Sequence, residues 1–462
     1  MPAFQLAALI RQRLLSPVEL VELLLRRIEA LNPRLNAYLT VDGEGALASA
    51  REAEAMVMRG DDLPPLHGVP VSIKDTLRTR GLRTTAGSLV YRDYVPDEDA
   101  VVVERLRRAG AIVLGKTNTP ELEQSSTTEN RLGDDCRNPW NTERTSGGSS
   151  GGAASAVAAG LGPLAVGIDG GGSIRVPAAF CGVFGFKPTK GRIPSHGGFG
   201  SMPLFAQIGP ITRSVRDAAL MLSVTAGHDP RDPLSLRETP ADYLRALDGP
   251  LGSLRVAVSA DLGYGNVDPR LRQAVEDVGR VFASLGHTVE QDTPEIGSPF
   301  DFFGPIVLAD EFAANGALLE SQADLLLPYV RSSLEHGQRV PGYQYSLCLR
   351  AMERFRLRMA VFFDRYDLLL VPTTAVPAFT VGQRPIVVDG QKVDKLWGAF
   401  PITAPFNVTG QPAATVPCGF SEDGLPLGVQ IVGRYGEEAL VLRAAAAFED
   451  VRPWAEWRPA IS

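Results

Sequence analysis

Helical and strand-like patterns alternate along this chain, and that alternation restricts the folds it can adopt. Short apolar runs rich in β-branched residues occur at GVPVSIKD (68–75) and AGAIVLGKT (109–117), and the second follows the helical pattern DAVVVERLRRAG. The same order returns in LRVAVSA, DPRLRQAVEDVGRVFASLG and HTVEQ, and again in DLLLVPT, GVQIVG and EEALVLRAAAAFED. We therefore predict an α/β fold, with a central mixed, mostly parallel sheet covered by helices on both faces.

The domain organisation follows from length and from the absence of long linkers. A chain of 462 residues allows two or three domains, although large α/β enzymes often hold this length in one core. The Pro/Gly-rich stretches at 247–253 and 381–390 are too short for interdomain linkers. We predict a single domain over 1–462, with an N-terminal helical segment at about 1–60, a core region at about 65–225 and a variable, substrate-side region at about 290–400.

The N-terminal segment contains a recognisable helix start. Ser16 is suited to the N-cap position and Pro17 to the first helical residue, and the run over 18–31 is apolar at helical spacing. We expect this helix to end at Asn32-Pro33, because proline cannot continue the backbone hydrogen-bond pattern.

Charge and cysteine usage exclude several classes of partner. A net charge of −7 provides no basic surface for nucleic acid or for an anionic membrane. The four cysteines, Cys136, Cys181, Cys348 and Cys418, form neither a CxxC pair nor a disulfide framework, which is typical of a reducing compartment. The N-terminal residues do not resemble a signal peptide, and no apolar run reaches 18 residues. We predict a cytoplasmic protein without nucleic-acid or membrane partners, as a monomer or homodimer.

The most unusual stretch is SGGSSGGAASAVAAGLGPLAVGIDGGGSIR (146–175), in which Ser149 and Ser173 are both flanked by glycine. Glycine beside serine lets several backbone N–H groups converge on one point, as an oxyanion requires. Between the two serines, the sequence predicts an Ala-rich helix, a turn and an apolar strand. Because ordered elements would hold both serines, we favour a catalytic site over a flexible loop.

The same stretch also matches the GxSxG nucleophile elbow at 147–151, which would make Ser149 the attacking group and require an Asp and a His later in the chain. An elbow needs a strand directly before it, but RNPWNTERT is polar and turn-like. No sequence context marks His196, His228, His287 or His336 as a triad member. We regard this match as weak.

A second match, GxxxxGK[ST] at 110–117, suggests a phosphate-binding loop. Its spacer AIVL belongs to a buried strand, so a nucleotide site around Lys116 is only a remote alternative. The five histidines form no HExxH motif and no cluster with zinc spacing, and we expect no metal.

The segments GGSSGG (147–152), GIDGGGSIRVPAAFCGVFGFKPTKGR (167–192) and GVPVSIKD closely resemble the amidase signature family of serine hydrolases. Weaker similarities, such as KTNTPE, RNPWN, QIGPITRSVRDAALML, LLLVPTT and NVTGQPAATVPCG, extend the resemblance over most of the chain. The resemblance implies a hydrolase that uses no cofactor.

The resemblance also implies roles for individual residues. Ser173 would be the nucleophile, Ser149 a relay serine on a cis peptide bond after Gly148, and Lys74 the base. The backbone N–H groups of four residues would form the oxyanion hole: Gly170, Gly171, Gly172 and Ser173. Asp169 and Arg175 would brace that loop.

Lys74 can serve as a base only if it loses its proton near neutral pH. A free lysine has a pKa near 10.4 and is almost fully protonated at pH 7. Burial disfavours the charged ammonium, and Val69, Val71 and Ile73 make an apolar setting plausible for Lys74. A neutral Lys74 could accept a proton through Ser149 and return one to a leaving amine, which suits amide cleavage.

Departures from the family pattern bear on the substrate. Phe400 aligns where glutaminase subunits of the family carry an Asp that binds the substrate's amino group, and this favours an apolar or aryl acyl group. Trp397 would line the same pocket, and Glu123 and Gln124 would face the cleft. Gly170 stands where many relatives have Thr, which would open space beside the oxyanion loop.

From these observations we predict a hydrolase of amides with apolar or aryl groups, with carbamates, urethanes and esters as further substrates, acting through an acyl- or carbamoyl-Ser173. The alternative is a glutamine-hydrolysing subunit of a tRNA-dependent amidotransferase. A nucleotide-binding protein is more remote, and a non-catalytic scaffold is the third option.

Overall fold

The computed structural model describes residues 1–461, which form fifteen α-helices and fifteen β-strands. The helices are α1 (Ala3–Arg11), α2 (Pro17–Leu35), α3 (Gly43–Arg59), α4 (Val101–Arg108), α5 (Gly151–Ala158), α6 (Arg175–Cys181), α7 (Val215–Thr225), α8 (Tyr243–Ala246), α9 (Pro269–Ser284), α10 (Phe300–Asn315), α11 (Ala317–Ser321), α12 (Pro328–Gln338), α13 (Gly342–Phe363), α14 (Ala404–Val408) and α15 (Glu438–Val451). The strands are β1 (Tyr38–Val41), β2 (Pro70–Lys74), β3 (Ile112–Thr117), β4 (Arg137–Asn138), β5 (Asn141–Thr145), β6 (Leu164–Asp169), β7 (Phe184–Lys187), β8 (Gln207–Thr212), β9 (Arg255–Val258), β10 (Thr288–Gln291), β11 (Leu368–Pro372), β12 (Val387–Val388), β13 (Gln391–Lys392), β14 (Ala413–Phe420) and β15 (Pro426–Gly433). Short 3-10 turns lie at Leu89–Tyr91, Glu121–Glu123 and Ala323–Leu325.

Eleven of the strands form one sheet, in the order β1-β3-β2-β6-β8-β7-β14-β15-β11-β9-β10. The pairs β4–β5 and β12–β13 form two separate ribbons. Within the large sheet, β2 and β6 are direct neighbours. Lys74 is the last residue of β2, and Ser173 lies on the loop that follows β6. The predicted α/β fold with one large mixed sheet is confirmed.

The prediction that the sheet is mostly parallel is wrong. Six of its ten strand pairings are antiparallel, and the parallel ones join β2 to β3 and β6, and β9 to β10 and β11. The hairpin β14–β15 shows the reason, since its strands are separated by only five residues and its turn includes Gly424 at φ 73°. A parallel connection needs a dozen or more residues. No strand was predicted over AATVPCGF, and the hairpin was therefore missed.

Helices cover both faces of the sheet, as predicted, because neighbouring side chains along a strand point to opposite faces. In β3, Val113 packs into the large core cluster that includes α4, α7, α9 and α15. Its neighbours Ile112 and Leu114 pack instead with α2 and α3. In β6, Val166 likewise packs into the large core cluster, whereas its neighbour Ala165 packs on the opposite face against α5 and α6. The apolar content is thus distributed over two layers around one sheet.

The predicted start of α2 is confirmed, and its predicted end is wrong. The Ser16 side chain accepts hydrogen bonds from the N–H groups of Val18 and Glu19 at 3.1 and 3.2 Å, and Pro17 is the first helical residue. The helix continues through Pro33 to Leu35. Proline lacks an N–H donor and crowds the carbonyl four residues before it, but Pro33 lies only two residues before the helix end. The last turn still closes, because Asn36 N–H donates to the carbonyl of Asn32.

Among residues 1–461, no helix is both long enough and apolar enough to cross a membrane.

Replacing the helix cap should destabilise the protein measurably. We expect Ser16→Ala to lower the free energy of unfolding by about 1 kcal/mol, because two N–H groups of the first turn lose their acceptor. The exposed Ser253→Ala variant is the control and should change it by less than about 0.5 kcal/mol. Chemical denaturation of both variants tests this, and equal stabilities would contradict the role of the cap.

Candidate active site

Lys74 and Ser149 meet in the interior of the protein. Lys74 is the last residue of β2, whose five residues are all buried, and its side chain is fully buried. Ser149 precedes α5, follows Gly148 through a cis peptide bond, and is 1% exposed. The Nζ atom of Lys74 donates a hydrogen bond to Ser149 Oγ at 2.5 Å. The sheet therefore places a lysine directly beside one of the two glycine-flanked serines.

Ser173 lies on the loop between β6 and α6, next to the Ser149 segment. The N–H of Ser150 donates to the carbonyl of Ser173 at 3.1 Å, which ties the two serine-bearing segments together. Ser149 and Ser173 line the same cavity, whose volume is about 590 Å³. The fold thus brings together Lys74, Ser149 and Ser173, which are far apart in sequence.

An internal ion pair supports the Ser173 loop. Arg175 Nε and Nη2 donate to the two carboxylate oxygens of Asp169 at 2.9 Å each, and both side chains are fully buried. Arg175 Nη1 also donates to the Thr403 carbonyl and to Gln430 Oε1. Burial opposes ionisation of Asp169, but Arg175, Lys187 and Asn407 together outweigh it and hold the pKa of this carboxyl well below its usual value. The start of α6 is therefore anchored to a carboxylate that is ionised at neutral pH.

Three of the four predicted oxyanion residues line the cavity, and Gly172 does not. Gly170, Gly171 and Ser173 line it. The N–H of Gly172 donates to Asp169 Oδ1 at 2.7 Å and is not directed to a substrate. The prediction for Gly172 is therefore wrong, because the carboxylate that supports the loop accepts this donor. Gly172 is still required, since its φ is 134° and a Cβ atom would lie 2.3 Å from Thr403 Oγ1.

Two opposing effects act on the ionisation of Lys74. Burial disfavours the ammonium and lowers the pKa of Lys74, while the carboxylate of Glu123 raises it. Glu123 Oε1 lies 3.5 Å from Nζ. The effect of burial is the larger, so the pKa of Lys74 lies below its ordinary value.

The cavity wall is partly aromatic. The rings of Phe300 and Trp397 stack with their centroids 4.9 Å apart. The other apolar residues of the wall are Met202, Ala206, Val307, Leu308 and Leu396. Most of this wall comes from the region 290–400, which the sequence predicted to be the substrate side.

Phe400 lies elsewhere, and its prediction as a pocket residue is wrong. It is fully buried in a separate apolar cluster, against Phe180 and Phe379. The hydrogen bond from Phe400 N–H to the Trp397 carbonyl closes a turn between Trp397 and Phe400. Of these two residues, only Trp397 lines the cavity. An alignment gives positions along the chain, and it does not give the direction of a side chain after a turn.

The space expected beside Gly170 is filled. A Cβ atom on Gly170 would lie 2.9 Å from the Met202 sulfur. Methionine is flexible and fills irregular gaps in this way. The missing side chain at Gly170 is therefore compensated by Met202, whose position no sequence motif indicated.

Glu123 and Gln124 both line the cavity, and they lead to a carboxylate that sequence reasoning missed. Gln124 Nε2 donates to Glu311 Oε2 at 2.5 Å, and Glu311 lies on α10 and is 3% exposed. Burial raises the pKa of Glu311 to about 7. The signal that could have found it was an acidic residue within the largely apolar segment PFDFFGPIVLADEF.

The two rival motifs have structural explanations. Lys116 is fully buried in β3, and its ammonium donates to the Leu77 carbonyl and to the hydroxyls of Thr79 and Thr84. This segment forms no phosphate loop. The residues before Ser149 were expected to be turn-like, but they include β4 and β5, which pair in a two-stranded ribbon. This ribbon is separate from the main sheet, so no strand of the main sheet directly precedes Ser149. Within residues 1–461, no group of three His, Cys, Asp or Glu side chains could hold a metal ion.

Comparison with known proteins establishes the family. The profile of the amidase family matches residues 19–442. An acylamidase from Rhodococcus erythropolis is 41% identical over 467 residues, covering 100% of this chain and 97% of that relative. The chain belongs to the amidase signature family.

Two further members of the amidase signature family show how wide the similarity is. A glutamyl-tRNA(Gln) amidotransferase subunit from Thermosynechococcus vestitus is 36% identical over 96% of both chains. The crystal structure of a bacterial aryl acylamidase of this family has a TM-score of 0.93 and 31% identity, covering 98% of this chain and 97% of that one. The chain is thus an amidase-signature amidohydrolase over its whole matched length.

Breaking the internal ion pair should be costly. We expect Arg175→Met to lower the free energy of unfolding by about 3–5 kcal/mol, because the Asp169 charge would stay buried without a partner. Arg26→Met is the matched control, since Arg26 pairs with Glu22 on an exposed helix face and should contribute less than about 1 kcal/mol. Similar losses in the two variants, measured by denaturant titration, would contradict this assignment.

Proposed function

We propose that the protein hydrolyses amides that carry apolar or aryl groups, through a covalent acyl-Ser173 intermediate. One observation carries the proposal: the fully buried Lys74 donates at 2.5 Å to Ser149, which shares a cavity with Ser173. A lysine freed of its proton by burial can act as a base for a serine nucleophile.

The proposed reaction begins with neutral Lys74. Ser173 Oγ attacks the carbonyl carbon while its proton passes to Ser149, and Ser149 gives its own proton to Lys74. The N–H groups of Gly170, Gly171 and Ser173 would stabilise the developing oxyanion. Lys74 then returns the proton through Ser149 to the leaving amine, and the C–N bond breaks. A water molecule then attacks the carbonyl carbon of the acyl-enzyme, with the same proton transfers through Ser149 and Lys74, and the acid is released.

The aromatic wall supports aryl specificity. The stacked Phe300 and Trp397 offer a flat apolar surface in the same cavity as Ser173. The relatives named acylamidase and aryl acylamidase agree with this class of substrate. Aryl carbamates and esters present the same carbonyl to Ser173, so we include them as substrates that would pass through a carbamoyl- or acyl-Ser173.

Glutamine hydrolysis is the second candidate, and the similarity to the amidotransferase subunit supports it. Phe400 gives no reason against it, because this residue lies outside the cavity. Turnover of glutamine above that of aryl amides, together with co-purification of partner subunits, would reverse our ranking.

Variants of the three proposed catalytic residues test the reaction. We expect Ser173→Ala to lower kcat on an anilide by roughly 10⁴-fold or more, since the covalent route is lost. Ser149→Ala and Lys74→Met should each cost about 10²–10⁴-fold, the usual contribution of a proton-transfer group. Steady-state kinetics on matched aryl amides, carbamates, esters and glutamine provide the measurement, with exposed Ser253→Ala as the control. Near-normal anilide turnover by Ser173→Ala would overturn the proposal.

The aromatic wall can be tested separately. We expect Trp397→Ala to lower kcat/KM for an anilide about tenfold, because the aryl ring loses a stacking surface worth about 1 kcal/mol beyond its burial. A short alkyl amide should be affected much less. Trp457→Ala is the control, since Trp457 packs on Phe420 and does not line the cavity. Equal losses on both amides would assign Trp397 a structural role only.

A further inference from the structure

Glu123 is held beside Lys74 by an unusual stretch of backbone. Leu122 and Glu123 adopt φ angles of 50° and 64°, in the left-handed region that residues with side chains rarely enter. Such a conformation is unfavourable for a residue with a side chain and persists where its surroundings require it. The buried Leu122 donates its N–H to the Ala86 carbonyl, which anchors the turn.

The contact between Glu123 and Lys74 is electrostatic. Glu123 Oε1 lies 3.5 Å from Nζ and, among the residues described, has no hydrogen-bond partner. The Lys74 side chain is fully buried, and that of Glu123 is 15% exposed, so solvent screens the pair weakly. This carboxylate therefore acts on the lysine at short range and without a competing donor.

Other charged groups near this pair have different partners. Asp169 also acts on Lys74, but Arg175 balances its charge. Glu311 is hydrogen-bonded to Gln124, and the charge of Glu123 adds to the effect of burial in raising the pKa of Glu311. Glu123 is thus a carboxylate that lies in direct contact with the Lys74 ammonium and, unlike Asp169, is not paired with an arginine.

We propose that Glu123 is a positioning residue that controls the protonation of Lys74 and thereby sets the pH range in which the relay is active. The inference rests on the proposed function, since only a neutral Lys74 can accept the proton from Ser149. The negative charge of Glu123 favours the ammonium and opposes the effect of burial. The ion pair keeps Lys74 in place and protonated at lower pH, and the relay becomes active as the pH rises and Lys74 loses its proton.

Removing the charge of Glu123 should shift the titration of Lys74 in one direction. Glu123→Gln removes the charge while leaving burial intact, so Lys74 should lose its proton at lower pH. The acid limb of kcat/KM should move to lower pH by about one to three units, the usual effect of one close opposite charge. Glu123→Asp keeps the charge and should restore the limb toward its wild-type position.

The experiment measures two pH profiles for each variant. One is kcat/KM on an anilide, and the other is the rate at which a fluorophosphonate labels Ser173, read by intact mass. Glu121→Gln is the matched control, because Glu121 lies in the same turn but bonds to Ser88 and Leu327, and its profiles should stay at the wild-type position. Glu311→Gln tests whether the limb belongs to Glu311 instead. If Glu123→Gln fails to fold, Glu123→Ser removes the same charge.

The outcomes separate the two proposals. A downward shift in both profiles for Glu123→Gln, with rescue by Glu123→Asp, supports the inference. An unchanged limb, a limb that moves only in Glu311→Gln, or a change confined to KM would overturn it while the proposed function stands. Equal labelling of wild type and Ser173→Ala would instead overturn the proposed function itself.

Discussion

The buried ion pair between Asp169 and Arg175 is the interaction on which the rest of the site depends. Two opposite charges without access to water are tolerable only when each is fully hydrogen-bonded, and here both are. Asp169 also accepts the N–H of Gly172, while Arg175 reaches Thr403 and Gln430. The loop that carries Ser173 is therefore fixed by elements more than two hundred residues further along the chain, and the geometry of this proposed nucleophile is a property of the whole fold.

The chemistry at Lys74 depends on a balance of burial and charge. A lysine at the end of a fully buried strand loses its proton more readily than one in water. Glu123 opposes that tendency from the cavity side, at 3.5 Å. Because the opposing effects come from different segments, β2 and the turn at Glu121–Glu123, we expect a substitution in either segment to shift the pKa of Lys74 without replacing any member of the proposed relay.

The residues of the proposed relay and those of the cavity wall come from different parts of the chain. Lys74, Ser149 and Ser173 belong to the densely glycine-containing region and its neighbouring strand, where the motif is strong. In the cavity wall, Phe300 and Glu311 lie on α10, and Trp397 lies in the loop before α14. The residues of the proposed relay and those of the cavity wall therefore lie in separate segments, and the wall can differ while the proposed relay stays the same.

The sequence was sufficient to predict the α/β class, the helix cap at Ser16 and the glycine-flanked serines, because each depends on local periodicity or on a dense motif, and the family resemblance added Lys74. It did not determine strand direction, which the short β14–β15 turn decided, or the side-chain direction of Phe400 and the N–H direction of Gly172. The packed fold was needed to show that Trp397 faces the cavity, that Asp169 accepts the N–H of Gly172, and that Glu123 reaches Lys74. These contacts depend on how separate segments meet, and their geometry exists only once the sheet and its loops have packed.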